Sequence, residues 1–326
     1  MNKAILHDHL DGGLRPSTAL ELAKNDSYKP LLEIENISSF FDRSSSNSLE
    51  DYLEAFIHTT ALMNKYENLE RIAFEAAEDM HNCGINLYES RYAPLYSVNE
   101  NLSIKDVLES INSGFKQAEN LYGIQSGLIL CGMRNDLKNV ESVGEIAVKY
   151  KDLIIGFDIA GPELNFRPSL FSSTFKKVKN AGVNITIHAG EGDNVESIKD
   201  ALENGAKRIG HGVRIIEDIN LENNKLGETA SLIRDKQIPL EICITSNIHT
   251  NMYKNYESHP IKDLLDLGFN ISLNTDNRLM SNTDIVKEMN ICKDIGIKNP
   301  ENLLKMSASY SFCLLYTSPS PRDVEE

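Results

Sequence analysis

The chain has 326 residues, 41% of them hydrophobic and 25% charged, with a formal net charge of −15 and a pI near 5.0. That is ample apolar material for a large core, and barrels of alternating strand and helix reach this length as one domain. The negative balance argues against nucleic acid and anionic membranes as partners, since both are polyanions, and leaves a neutral small molecule open.

No run approaches the eighteen apolar residues of a membrane helix, and the opening MNKAILH turns polar too early for a signal peptide. Five cysteines, at 83, 131, 243, 292 and 313, are scattered, odd in number and free of any C-x-x-C pair. They fit reduced, buried thiols in a cytoplasmic protein better than a disulfide framework or a thiolate metal site.

In chain order, short apolar runs predict strands at 4–11, 85–93, 126–133, 153–161, 183–191, 208–212, 239–247 and 269–277. Val, Ile and Leu dominate most of them. Several lack strict alternation, as expected of strands buried on both faces. Between them lie amphipathic helical stretches, one of them at 197–204 before Gly205, which suits a helix stop. Eight strand–helix units predict a parallel sheet closed into a (β/α)8 TIM barrel, an α/β fold. The alternative is an open doubly wound sheet, but no G-x-G-x-x-G loop follows the first strand.

The first gap is far longer than the others, and it contains helical patterns at 49–65 and 69–82. Ser48 with Asp51 resembles a capping box at the start of the first. The serines at 44–46 read as a loop. A long helical insertion after strand one, on the face where barrel active sites lie, is expected to act as a lid.

Four polar clusters fall at the carboxyl ends of predicted strands, where barrels keep catalytic groups: HDHLDG at 7–12, HAGE at 188–191, HG at 211–212 and NTDN at 274–277. His7 and His9 lie two apart in a strand, so both imidazoles share a face. Each cluster alone is most simply a polar strand end. Three histidines and one aspartate from different strand ends make a nitrogen and oxygen donor set suited to zinc, with room for a water.

The stretches HDHLDGGLRP, GFDIAGPE, TIHAGE, RIGHGVR, CITSN and SLNTDN resemble, in order and spacing, the motifs of the adenosine deaminase family of metal-dependent hydrolases. The resemblance runs from residue 4 to about residue 312, and HDHLDGGLRP with NTDNRLMS looks bacterial. It implies a TIM barrel and one Zn2+ per chain held by His7, His9, His188 and Asp276. It further implies that Glu191 protonates purine N1 and that His211 positions the attacking water and helps to deprotonate it. Gly161 would offer backbone to the purine, and His9, Asp11 and Asn277 would touch substrate. The implied reaction is hydrolysis of adenosine or deoxyadenosine to inosine or deoxyinosine plus ammonia, in purine salvage.

Three positions depart from the family's commonest pattern. Gly13 stands where many members have Ser. Asn277 stands where many have Asp, and its amide can donate to purine N7 without first being protonated. Arg278 stands where Pro is common, and it would either pair with an acidic neighbour or shape the pocket rim. Ser246 and Asn247 are expected to orient His211 or the metal-site loops. His58 and His81 read as surface or packing residues, and His249 and His259 lie near the mouth but outside the motifs. The alternatives are an adenine deaminase, an N6-substituted purine nucleotide deaminase, and a non-catalytic nucleoside-binding barrel. Intact Glu191 and His211 argue against the last. The sequence leaves the oligomeric state open.

The end of the chain reads differently. CLLYTSPSPRD, from Cys313, is what a transposon-end sequencing adapter encodes in translation. The expectation is therefore a barrel domain over 1–312 and a non-native tail over 313–326, poorly packed from Leu314 onward.

Overall fold

The structure is a computed structural model, and it describes residues 2–46 and 48–313. All eight predicted strands form: β1 Ala4–His9, β2 Leu87–Tyr92, β3 Gln125–Met133, β4 Gly156–Ala160, β5 Asn184–Ala189, β6 Arg208–His211, β7 Leu240–Ile242 and β8 Ile271–Leu273. They are parallel and adjacent in chain order. A parallel bridge between Asp8 and Asp276 closes the ring, with His9 N–H donating to the Asp276 carbonyl at 2.8 Å and Asp276 N–H to the His7 carbonyl at 3.0 Å. The fold is a (β/α)8 barrel. Seven of the strands are buried along their whole length or nearly so, which is why their sequences are apolar runs rather than alternating ones.

Several boundaries move; β8, expected over 269–277, is only Ile271–Leu273, and β4, expected from 153, begins at Gly156 after a short 3-10 turn at Lys151–Leu153. The seventh run was expected to stay extended to residue 247, but β7 stops at Ile242 and the chain turns into the helix Ile244–His249. Thr245, Ser246 and Asn247 are polar, and in a buried strand their side chains would lack partners. In the helix Thr245 N–H donates to the buried Glu288 carboxylate, and Ser246 and Asn247 turn toward the mouth. The helix expected over 49–65 is two, Leu49–Leu53 and Phe56–Leu62, separated at Glu54–Ala55. The break aims Leu53, Phe56, Ile57 and Thr60 at the barrel mouth. Ser48 caps the first of them by accepting the Asp51 N–H at 3.1 Å. A small antiparallel hairpin, Ile219–Asn220 with Lys225–Leu226, has no counterpart among the expected elements.

The barrel interior is not filled by branched aliphatic layers, the usual solution for this fold. Glu89, Arg91, Asp158, Arg208 and Glu241 meet inside it, each 0–1% exposed. Arg91 bridges Asp158 (2.6 Å) and Glu241 (2.7 Å), and Arg208 bridges Glu89 (2.7 Å) and Glu241 (2.7 Å). The last helix, Glu301–Tyr310, packs on β1 and β8, and its Ala308 meets Ala4 and Leu87, the first residues of β1 and β2. The C-terminal segment therefore covers the end of the barrel opposite the mouth. Cys313 is buried there, and the rest of the expected tail lies outside the described residues. All five cysteines are free, with Cys83 only half-buried rather than buried. Among the described residues no helix is long and apolar enough to cross a membrane.

Candidate active site

The strand ends bring the histidines and the aspartate together. One ligating atom from each of His7, His188, His211 and Asp276 lies within 4.8 Å of the others, and all four residues are buried. His9 abuts the cluster, its Nε2 at 3.2 Å from His188 Nε2 and 3.4 Å from Asp276 Oδ1. His211 and Asp276 have φ of +59° and +57°, a left-handed conformation that non-glycine residues seldom adopt. His211 is the last residue of β6 and Asp276 follows β8 by three residues, and the turn at each swings the side chain into the mouth. Strain of this kind persists where the surroundings over-determine it, commonly at working sites.

Each ring is oriented from behind. His7 Nδ1 meets Glu241 Oε2 at 3.0 Å, His188 Nδ1 meets Asp158 Oδ2 at 2.8 Å, and His211 Nδ1 lies 3.1 Å from the Asn247 side-chain nitrogen. Asn247 is held in turn by His259, 3.2 Å away. Ser246 donates to Asp276 Oδ2 at 2.5 Å. Carboxylates behind imidazoles fix ring orientation and tautomer and leave the opposite nitrogen free to ligate. The sequence reading anticipated Ser246 and Asn247 as orienting residues; it missed Glu241, Asp158 and His259. The signal for Glu241 was a lone acid in an otherwise apolar run.

The donor set fits a divalent ion. His7 Nε2 and Asp276 Oδ1, 3.3 Å apart, are buried with no hydrogen-bond partner, which buried polar atoms rarely tolerate. Burial holds His9 and His211 well below the ordinary imidazole range and also lowers His188, so these rings are neutral, the form that ligates. Burial and Arg91 pull His7 down too, but its contacts with Asp276 and Glu241 carry it upward. Burial would raise the Asp276 carboxyl, yet the adjoining His7 ring, whose proton affinity Asp276 in turn raises, holds it far down and ionised. Behind the ligand rings Arg91 pairs with Asp158 and Glu241, and Arg208 with Glu89 and Glu241, so the carboxylates that orient His7 and His188 are themselves held in place.

A cavity of about 410 Å³ opens over the cluster, within the size range of small-molecule sites. His9, Asp11, Gly161, His188, Glu191, His211, Asp276 and Asn277 all line it, while His7 sits fully buried beneath. The helices Leu49–Leu53 and Phe56–Leu62 of the insertion form part of its wall, and Tyr52 is fastened to Ser281, beyond β8, at 2.6 Å. Glu191 Oε2 lies 3.5 Å from His211 Nε2. Burial first, then the negative Asp276 and Glu163, push the Glu191 carboxyl well above its ordinary range, which favours its acid form. Burial likewise raises Asp11 to about 7. Glu163, inside the GFDIAGPE stretch but not singled out, accepts the N–H groups of Gly190, Glu191, Gly192 and Asp193 and the Ser197 hydroxyl, and so anchors the loop that presents Glu191.

Residues 2–309 match the family model described as Adenosine deaminase. The chain is 43% identical over 299 residues to Adenosine deaminase 1 of Streptomyces coelicolor, covering 88% of this chain and 75% of that one. The chain belongs to the adenosine deaminase family. It is also 40% identical over 300 residues to the Adenosine deaminase of Mycobacteroides abscessus, with 88% and 83% covered. In fold it is similar to the adenine deaminase of Arthrobacter aurescens, with a TM-score of 0.87 at 21% identity, covering 98% of this chain and 95% of that one. Within the adenosine deaminase family framework, Arg278 pairs rather than lining the active-site cavity. Its Nε donates to Asp8 Oδ2 at 2.9 Å and its Nη1 to Asp79 Oδ2 at 3.2 Å, and it lines a second cavity with Gly13. A β-carbon at Gly13 would stand 2.7 Å from Arg278 Nη2, so the small residue makes room for the large one. His58 and His81 are packing residues, the first against Tyr28 and the second stacked on Tyr122.

Glu288, which anchors the helix carrying Ser246 and Asn247, gives a pH prediction. Burial raises its carboxyl from 4.5 to about 7. Folding therefore takes up a proton between these values: the group's contribution is fully favourable below 4.5 and is lost as pH rises through 7. Glu288→Gln should gain about 2 kcal/mol relative to the parent between pH 5 and pH 8, measured by urea denaturation at both. An equal difference at the two pH values would refute the assignment.

Proposed function

We propose that the chain hydrolyses adenosine or deoxyadenosine to inosine or deoxyinosine and ammonia. The observation that carries this reading is a buried Glu191, its carboxyl pushed well above the ordinary range, beside His211 at the bottom of one cavity with a metal-ligand cluster. Binding alone needs no buried acid, which disfavours a nucleoside-binding barrel without turnover. Zinc is the ion we assign, one per chain, held by His7, His9, His188 and Asp276; three imidazoles and a carboxylate suit it better than magnesium or calcium. When bound it supplies Lewis-acid chemistry, lowering the pKa of water from 15.7 toward about 7.

The chain's own groups do the rest. Glu191 delivers its proton to N1 of the purine, which weakens the ring's aromatic stabilisation and opens C6 to attack. His211, neutral and held by Asn247, orients the attacking water and accepts its proton. Gly161, with φ of +94° and no side chain, brings its backbone against the cavity, where the purine would lie. Asn277 donates to the ring, and His9 with Asp11 receives the sugar. The test is direct: purified protein supplied with zinc should convert adenosine to inosine with release of ammonia. Failure on both adenosine and deoxyadenosine, with turnover of free adenine, would move the assignment to an adenine deaminase.

Among the described residues no lysine or arginine lines the cavity, whereas Asp11 and Glu54 do. A nucleotide's phosphate would meet like charge, which costs several kcal/mol at an interface. AMP is therefore expected to show kcat/KM at least about a hundredfold below adenosine's. Comparable values in a steady-state comparison would favour the nucleotide reading instead. We assign the reaction to purine salvage in the cytoplasm, a reducing compartment that suits the free cysteines. The partner is a small purine nucleoside, not nucleic acid or a membrane.

A further inference from the structure

We propose that residues 310–312, with the backbone N–H of the residue that follows them, form a positioning element for the metal cluster at the end of the barrel opposite the mouth, acting on His7 through Glu89, Arg208 and Glu241. The proposal rests on the reading of that cluster as a metal site.

Glu241 is the link to His7, and its carboxylate has little freedom. Oε2 faces His7 Nδ1 at 3.0 Å and Arg91 Nη2 at 2.7 Å, while Oε1 accepts from Arg208 Nε at 2.7 Å and Thr186 Oγ1 at 3.0 Å. Whatever fixes Arg208 thus helps fix the carboxylate that orients His7. Arg208 is fixed by the C-terminal segment. Its Nη1 donates to the Tyr310 carbonyl at 2.9 Å, and its guanidinium lies over the Phe312 ring, 3.7 Å from the centroid. Its Nη2 donates to Glu89 Oε2 at 2.7 Å.

Glu89 is itself latched by the same segment. Its other oxygen accepts the Ser311 hydroxyl at 2.7 Å, the Cys313 N–H at 3.1 Å and the Phe312 N–H. Apart from the half-buried Tyr310 these residues are buried, so each polar atom depends on the next for its partner and water has little access to replace one that moves. Buried ion pairs are weak stabilisers because desolvation offsets their attraction. A continuous path of them from the chain's last described turn to a ring of the metal cluster is better explained by geometry than by stability. Arg91 gives Glu241 a second hold, so loss of the latch should loosen His7 rather than free it.

The test measures zinc affinity by competition with a chromogenic chelator, alongside melting curves with and without zinc, on the full chain. Partners behind metal ligands typically change affinity about 10- to 100-fold, and Glu89→Gln should fall near the low end, with zinc binding weakened about tenfold. Ser311→Ala removes one latch bond at little risk to folding and should weaken binding in the same direction by a smaller factor. In both variants the rise in Tm produced by zinc should shrink. A purely structural role would lower Tm equally with and without zinc and leave the affinity at the parent value, and that result would overturn the proposal. Parent protein that takes up no zinc would instead refute the metal reading beneath it.

Discussion

Glu191→Gln is expected to lower kcat on adenosine by about 10²- to 10⁴-fold, the usual contribution of a positioned general acid, while leaving zinc content unchanged. Glutamine has nearly the same shape and can occupy the same place above the cluster. It lacks the proton that N1 must receive. The parent carboxyl is shifted toward its acid form by burial and by the negative Asp276 and Glu163, as a proton donor requires. Its carboxyl is neither among the ligands we assign, His7, His9, His188 and Asp276, nor in the convergent cluster that adds His211, so metal binding should survive the change. Steady-state kinetics with metal analysis on the same sample separates the two effects. Activity within tenfold of the parent would remove Glu191 from the mechanism. Loss of metal together with activity would place it among the ligands.

The two halves of this site were not equally legible. His7, His9, His188, His211, Glu191 and Asp276 could be read in the sequence because each sits where an apolar strand ends. A charge at that point has nowhere to go but the barrel mouth. The eight strands were legible for the same reason, since burial on both faces leaves continuous apolar runs. The supporting carboxylates were not. Asp158 and Glu241 lie within strands, and only the closed barrel shows that they stand behind His188 and His7. Glu89 and Arg91, two apart in β2, look like the polar face of an ordinary alternating strand until both are seen pointing into a buried interior. The break between the two insertion helices was also hidden, because the helical periodicity of 49–65 continues through Glu54. Arg278 is the instructive case: both of its possible roles were visible, and the choice between them needed Asp8 and Asp79 placed beside it.

Removing the metal should abolish turnover and destabilise the fold, and zinc should restore both. Without a cation His7 Nε2 and Asp276 Oδ1 remain buried and unpartnered. A bound ion satisfies these orphaned atoms, so it binds the native chain in strong preference to the unfolded one. At zinc a hundredfold above its dissociation constant the linkage is worth about 2.7 kcal/mol. For a chain of this size that corresponds to a Tm rise of roughly 5 °C. The measurement is a thermal melt of chelator-stripped protein before and after zinc is returned, with adenosine turnover read on the same samples. Magnesium should restore neither, because it prefers oxygen ligands in octahedral geometry over three imidazoles and a carboxylate. Stripped protein as active and as stable as the parent would leave the converging histidines without a chemical role. Recovery with magnesium but not zinc would mean that oxygen donors, not these rings, hold the ion.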